Sequence, residues 1–145
     1  MSANVSARLE IDIEQAGKAA GPCVFVLFGA AGDLTKRKLV PALLNLTRAR
    51  LLPDNFAVVG VSVDDLSLDA FRDQVSEFLP AGSSSSDARA WLRQRLFYER
   101  GDFGDAGMFS RVRERLAQID IEHRTLGNYL FYLATAPKFF APIVQ

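Results

Sequence analysis

The residues with the clearest chemical purpose form one run, Gly29-Ala30-Ala31-Gly32-Asp33-Leu34-Thr35-Lys36-Arg37-Lys38, directly after an apolar stretch that ends at Phe28. A strand that feeds a glycine turn and then a helix presents backbone N–H groups and the positive end of a helix dipole, which is an arrangement suited to an anion. Lys36, Arg37 and Lys38 bring three cations within reach of that charge. The chemistry indicated is the holding of a phosphate or pyrophosphate, although a glycine pair after a strand also serves as plain turn punctuation. A nucleoside-triphosphatase phosphate loop needs glycine directly before its lysine and Ser or Thr directly after. Here Thr35 precedes Lys36 and Arg37 follows it, so that loop is excluded. The strict dinucleotide pattern G-x-G-x-x-G is not met either, because Ala31 stands at its second glycine and Leu34 at its third. The looser G-x-x-G-x-x-[GA] spacing fits only if Thr35 takes the last place.

Other chemically capable residues are sparse. His123 is the only histidine and sits in the polar stretch Glu122-His123-Arg124-Thr125, which reads as a solvated loop rather than the cleft a general base needs. The lone Cys23 can form neither an internal disulfide nor a thiolate metal site, and reads as a small hydrophobe. Trp91, with Leu92 and Leu96, reads as core packing of a short helix, and Arg89, Arg93 and Arg95 as a solvated face balanced by Asp87 and Glu99. No metal site is expected. With 17 Lys+Arg against 17 Asp+Glu the 145-residue chain has zero net charge, which excludes a basic nucleic-acid footprint.

The elements that must carry the glycine run follow from hydrophobic patterning. Cys23 to Phe28, Phe56 to Val61, Leu96 to Tyr98 and Tyr129 to Ala134 read as strands; the first, second and fourth are apolar on consecutive residues, as in strands covered on both faces of a parallel sheet. Helical spacing lies between them. Ser67 is placed to cap a helix with Phe71, Val75 and Phe78 on one face. A second helix, from about Asp105 to Gln118, carries Phe109, Val112, Leu116 and Ile119. A third runs from Pro41 to Arg50 with the proline in its first turn, and Leu34 to Val40 forms a separate turn or a kinked leading segment. Alternation of strand and helix predicts an α/β fold, a doubly wound parallel sheet of Rossmann type over residues 22–145, in which ligands bind at the carboxyl ends of the strands. Residues 1–21 read as a flexible N-terminal extension and Gly82 to Ser86 as a flexible surface loop. No apolar run suits a secretory signal or a membrane span, so a cytoplasmic protein with no membrane partner is expected.

The run Val26-Leu27-Phe28-Gly29-Ala30-Ala31-Gly32-Asp33-Leu34-Thr35-Lys36-Arg37-Lys38-Leu39-Val40-Pro41 resembles the amino-terminal signature of the glucose-6-phosphate dehydrogenase family, F-G-[AG]-[ST]-G-D-L-A-x-[RK]-K-[LI]-x-P. Leu51-Leu52-Pro53, Val59-Gly60, Phe97 to Phe103 and Asn128 to Ala134 agree in the same order, so the resemblance covers about Pro22 to Gln145. It implies the coenzyme domain of an oxidoreductase that oxidises glucose 6-phosphate to 6-phosphogluconolactone in the pentose phosphate pathway, with NADP or NAD as cofactor. On the same resemblance, Gly29, Ala30, Ala31, Gly32, Asp33, Leu34, Thr35 and Lys36 would wrap the coenzyme pyrophosphate, with Asp33 holding the turn and capping the next segment. Lys38 would lie near coenzyme and sugar-phosphate charge, and Ala134 and Pro137 beside the nicotinamide. Ala31 departs from the family's Ser or Thr, and Ala136 from its first proline.

One departure bears on the coenzyme. Members that use NADP place an arginine shortly after Val-Gly, and that position is Val63 here, followed by Asp64 and Asp65. A carboxylate at the end of the second strand accepts hydrogen bonds from the ribose 2′-hydroxyl of NAD and repels a 2′-phosphate. Two readings stand side by side: an NAD preference with Asp64 as the contact, or a solvated turn ahead of the Ser67 cap. The family's Arg-Ile-Asp-His-Tyr-Leu-Gly-Lys-Glu and Glu-Lys-Pro-Phe-Gly motifs are absent, so no catalytic residue is expected in this chain. The isolated chain is expected to bind coenzyme weakly or not at all and to lack dehydrogenase activity. As a truncated domain it would meet glucose 6-phosphate only in a full-length enzyme, and it would expose an apolar helix face and a strand edge. The alternatives are a stand-alone, non-catalytic nucleotide-binding module that uses its core for a nucleotide or a protein partner, and a different Rossmann oxidoreductase such as the short-chain type. The short-chain type is disfavoured because neither Tyr98 nor Tyr132 has lysine four residues on.

Overall fold

The computed structural model describes residues 21–79, 86–135, 138 and 140–144. Four parallel strands, β1 (Cys23–Phe28), β2 (Phe56–Ser62), β3 (Leu96–Arg100) and β4 (Tyr129–Leu133), lie in the order β3-β2-β1-β4. The helices are α1 (Val40–Arg48), α2 (Leu68–Glu77), α3 (Ser86–Gln94), α4 (Ala106–His123) and the short α5 (Phe140–Val144). The α/β sheet predicted from the sequence is therefore present. The first two strands form its centre, which is why β1 and β2 up to Val61 are apolar without a break. Strand side chains alternate between two cores: Phe25, Leu27, Phe56 and Val58 pack with Leu43, Leu44, Phe71, Val75 and Leu92 of α1 to α3. Val24, Val26, Phe28, Val59 and Val61 pack with Met108, Val112, Leu116 and Ile119 of α4.

Local signals account for the element boundaries. Ser67 caps α2 by accepting the Ala70 amide (3.1 Å), with Asp69 in the first turn where the dipole favours it. Asp105 caps α4 through Gly107 (2.9 Å). Helix α4 runs to His123, five residues past the expected end, and closes where Arg124 adopts a left-handed conformation (φ 54°). His123 is thus a helix-terminal residue, not a loop residue, and its ring meets Phe97 edge-on at 5.4 Å. Helix α2 gives a second correction: Phe71 and Val75 are buried, but Phe78 falls on the helix-ending turn and is exposed while Leu79 takes the core position. On α4, Met108 rather than Phe109 joins the fully buried face.

The largest correction concerns β4. Its consecutive apolar residues predicted a strand covered on both faces, but β4 is an edge strand on which Leu130 and Phe131 are 58% and 51% exposed. Phe131 meets the Phe28 and Tyr129 rings, and Tyr132 meets Phe25 of β1. The α3 arginines also differ from the expected solvated face. Arg93 pairs with Asp73 (2.7 Å), Arg89 reaches the Ser76 carbonyl (3.4 Å), and Arg95 stacks over Trp91 at 3.8 Å; Glu99 instead receives Arg111 and Arg115 from α4. Trp91 itself stacks on Phe56, as core packing requires. The N-terminal segment 1–20 and the loop residues 80–85 lie outside the described residues, while Ser86 already opens α3. Among the described residues no helix is long and apolar enough to cross a membrane, and no cluster of His, Cys, Asp or Glu could hold a metal ion.

Candidate functional site

The chain order reverses between β1 and β4, and a parallel sheet opens a crevice at the carboxyl ends of the strands at such a point. The glycine run lies there. Gly29 leaves β1 with φ 90°, and a Cβ on it would stand 2.2 Å from the Ala134 carbonyl oxygen that follows β4, so only glycine permits the approach. The amides of Gly29 and Ala30 both donate to the Val61 carbonyl at the end of β2 (2.9 and 3.2 Å). Gly60 is matched to this packing, since a Cβ there would meet the Ala30 methyl and the Phe71 ring, each at 2.7 Å. The turn is thus seated against both neighbouring strands by close backbone contact.

Its crest is held from inside. The Gly32 amide and the buried Thr35 hydroxyl both donate to the Gly29 carbonyl (3.0 Å each), and Lys36 donates its amide to Gly32. The helix beginning here has no side-chain cap, so Thr35, not Asp33, closes the turn; Asp33 is exposed. Residues Thr35–Leu39 form a π-helical turn that runs into α1, with the Val40 amide reaching back five residues to the Thr35 carbonyl. Pro41 supplies the reason: it cannot donate to the Arg37 carbonyl, and the chain widens around the missing bond before α1 continues. Of the three cations, Lys36 is half-buried with its ammonium 5.8 Å from the Phe78 ring centroid, at the end of α2. Arg37 and Lys38 remain exposed.

The far side of the crevice is built around Tyr98. Its phenol donates to the Asp64 carbonyl (2.5 Å) and lies 2.6 Å from the Ser62 hydroxyl, which in turn accepts the Asp64 amide (3.3 Å). Burial pushes the phenol above its ordinary pKa. This network fixes the backbone after β2 and leaves the Asp64 side chain exposed. Asp65 lies 3.9 Å from Arg100, whose Nε donates to the Val63 carbonyl (3.2 Å). After β4 the Ala134 amide donates to the Phe28 carbonyl (2.8 Å), and the Thr135 hydroxyl is buried without a hydrogen-bond partner among the described residues. Pro137 and Ala136 lie outside the described residues.

Gly29, Ala30, Ala31, Gly32, Asp33, Leu34, Thr35 and Ala134 are therefore brought to one crevice, with Asp64 on the neighbouring strand end. Tyr98, Arg100 and Thr135 join them, none of which the sequence marked as a coenzyme-site residue. Their signal is tertiary: Tyr98 and Arg100 act on residues more than thirty positions away. A cleft bordered by Arg48, Arg50, Asp54 and Trp91 lies at the amino end of β2, opposite the crevice.

Residues 26–145 match the family model described as glucose-6-phosphate dehydrogenase, NAD binding domain. A glucose-6-phosphate 1-dehydrogenase of Chlamydia muridarum is 43% identical over 128 residues, covering 86% of this chain and 25% of that protein. The enzyme of Aggregatibacter actinomycetemcomitans is 34% identical over 124 residues, covering 85% of this chain and 25% of its own length. Among solved structures, a glucose-6-phosphate dehydrogenase in complex with glucose 6-phosphate superposes with a TM-score of 0.79 at 26% identity, over 87% of this chain and 27% of that one. The Mycobacterium avium glucose-6-phosphate 1-dehydrogenase gives 0.70 at 31% identity, over 85% and 26%. The chain thus spans about a quarter of the length of these relatives.

Proposed function

From the premise that this chain belongs to the glucose-6-phosphate dehydrogenase NAD-binding-domain family, we propose that it is the part of such an enzyme that holds the nicotinamide dinucleotide during oxidation of glucose 6-phosphate. The observation that carries this reading is the Gly29 turn, packed against Ala134 where no Cβ fits, at the strand-order reversal. A bound coenzyme supplies a nicotinamide ring that accepts hydride from the sugar. The chain's own contribution is binding and orientation. The exposed residues Asp33 and Leu34, at a helix start, offer backbone amides suited to the pyrophosphate. Lys38 stands exposed on the same segment for phosphate charge. At the other strand ends, Ala134 with Thr135 lines the nicotinamide side, and Asp64 meets the adenosine ribose.

At the finer level the Asp64 carboxylate favours NAD, because it accepts from a ribose 2′-hydroxyl and repels a 2′-phosphate. Proton abstraction from the sugar hydroxyl needs a base within hydrogen-bond reach. His123 stands on Phe97 at the end of α4, away from the crevice, and no other histidine exists in the chain. The chain on its own is therefore inactive and binds coenzyme weakly, and the base comes from the remaining three quarters of the relatives' length. Titration of the purified chain with both coenzymes, followed by an assay for glucose 6-phosphate turnover, tests this. Weak saturable binding that favours NAD, with no turnover, is expected; tighter NADP binding overturns the coenzyme preference, and measurable turnover overturns the division of labour.

A further inference from the structure

We propose that Arg100, on β3, determines how well the adenosine end of the site tolerates a phosphate on the ribose 2′-oxygen, and that Asp65 restrains it. This rests on reading the crevice as a coenzyme site. Coenzyme sheets of this type read the ribose at the end of the second strand, with a carboxylate for the free hydroxyl or an arginine nearby for the phosphate. Both kinds of group are present here, and the arginine comes from the neighbouring strand. Arg100 is paired in register with Ser62, and the Gly101 amide donates to the Ser62 carbonyl (2.8 Å), so the ends of β2 and β3 are locked together. The Arg100 Nε–H is tied to the Val63 carbonyl, two residues beyond the Val61 carbonyl that anchors the glycine turn. Val63 itself offers only an exposed apolar side chain.

The tether uses one donor and leaves the outer edge of the guanidinium turned to solvent, with the side chain 60% exposed. Its charged neighbour is Asp65, at 3.9 Å and 86% exposed. An exposed pair at that separation is weak, whereas a phosphate dianion takes a guanidinium through two short charge-assisted bonds. The neighbouring cation is committed elsewhere: Arg111 bridges Glu99 and Asp105 and donates to the Arg100 carbonyl (3.4 Å). Asp64 and Asp65 repel a 2′-phosphate while Arg100 attracts it, so the balance among these three side chains sets the preference, and removing Asp65 shifts it twice over.

Adenosine fragments test this without requiring the nicotinamide half. Dissociation constants for 5′-AMP and 2′,5′-ADP are measured by NMR titration for the chain and for Arg100→Gln, Asp65→Asn and the double variant. Both substitutions are at exposed side chains, and unchanged thermal midpoints confirm folding in all three variants. Arg100→Gln is expected to weaken 2′,5′-ADP about tenfold while 5′-AMP stays within about twofold, as loss of a charge-assisted contact requires. Asp65→Asn is expected to tighten 2′,5′-ADP about fivefold, and the double variant to lose that gain. A 2′,5′-ADP to 5′-AMP ratio unchanged by Arg100→Gln overturns the proposal while the coenzyme reading stands. Failure of both fragments to bind, or amide shifts away from residues 29–36 and 62–65, overturns the coenzyme reading and this proposal with it.

Discussion

Gly29 and Thr35 act on one carbonyl from opposite ends of a turn: the glycine supplies a backbone that no other residue adopts there without strain, and the threonine hydroxyl holds it shut. Gly29→Ala is expected to cost at least ~2 kcal/mol, the scale of a forced positive φ plus a backbone clash, and to abolish coenzyme binding. Denaturant midpoints and a coenzyme titration check both. Tyr98→Phe removes the donor to Asp64 while keeping the ring against Phe71, at a cost of about 1–2 kcal/mol with an unchanged denaturation slope. Thr135→Val buries a methyl in place of a hydroxyl without a partner. The expected outcome is unchanged or slightly raised thermal stability together with weaker coenzyme binding, since an orphaned buried hydroxyl stabilises nothing until a ligand meets it. Gly29 was legible in the sequence because its requirement is local. Tyr98 and Arg100 were not, because their partners lie on another strand.

Among elements, the turn into β4 carries the clearest pH dependence. Asp120, on α4, accepts hydrogen bonds from Thr125, Tyr129 and Gly127, and these hold three residues of a left-handed turn, Arg124, Leu126 and Gly127, in place. Burial works to raise the Asp120 pKa, but the three donors outweigh it and hold the carboxyl below its ordinary value. The Tyr129 phenol, bonded to that carboxylate, is pushed up to about 12 from 10.0. A phenol raised on folding stabilises fully below its unfolded pKa, and the contribution is lost as pH climbs from about 10 to 12. For Asp120 the sign reverses: its contribution is present above the ordinary carboxyl pKa and lost as pH falls below it. The stability gap between the chain and Tyr129→Phe should therefore be widest near neutrality and close at both extremes, as followed by denaturant midpoints against pH. A gap independent of pH would remove Asp120 as the partner. The sequence showed β4 and α4 but not this joint, because the apolar spacing that marks elements carries no information about polar pairs between them. The same limit explains Phe78: helical periodicity placed it on the core face, and only the end of α2 at Glu77 turns it outward, under Lys36.

For the whole molecule, apolar patterning specified four parallel strands and left their order open. Order and cover together decide exposure: Phe56 to Val61 is buried because β2 is central, and Leu96 and Tyr98 of the edge strand β3 are buried under helices, whereas Tyr129 to Tyr132 is exposed because β4 is an edge that packs chiefly on β1. A long apolar edge recruits partners. The isolated chain is expected to self-associate with rising concentration in sedimentation velocity, and Leu130→Lys with Phe131→Lys to restore a single slow species; a monodisperse parent chain would point instead to a self-contained module. The central claim is that the crevice between β1 and β4, and not the cleft at the amino end of β2, is where a nucleotide sits. An amide NMR titration of the chain with NAD tests that most directly. The account predicts saturable shifts confined to residues 29–36, 61–65 and 133–135; shifts centred on Arg48, Arg50 and Trp91, or none at saturating NAD, would contradict it.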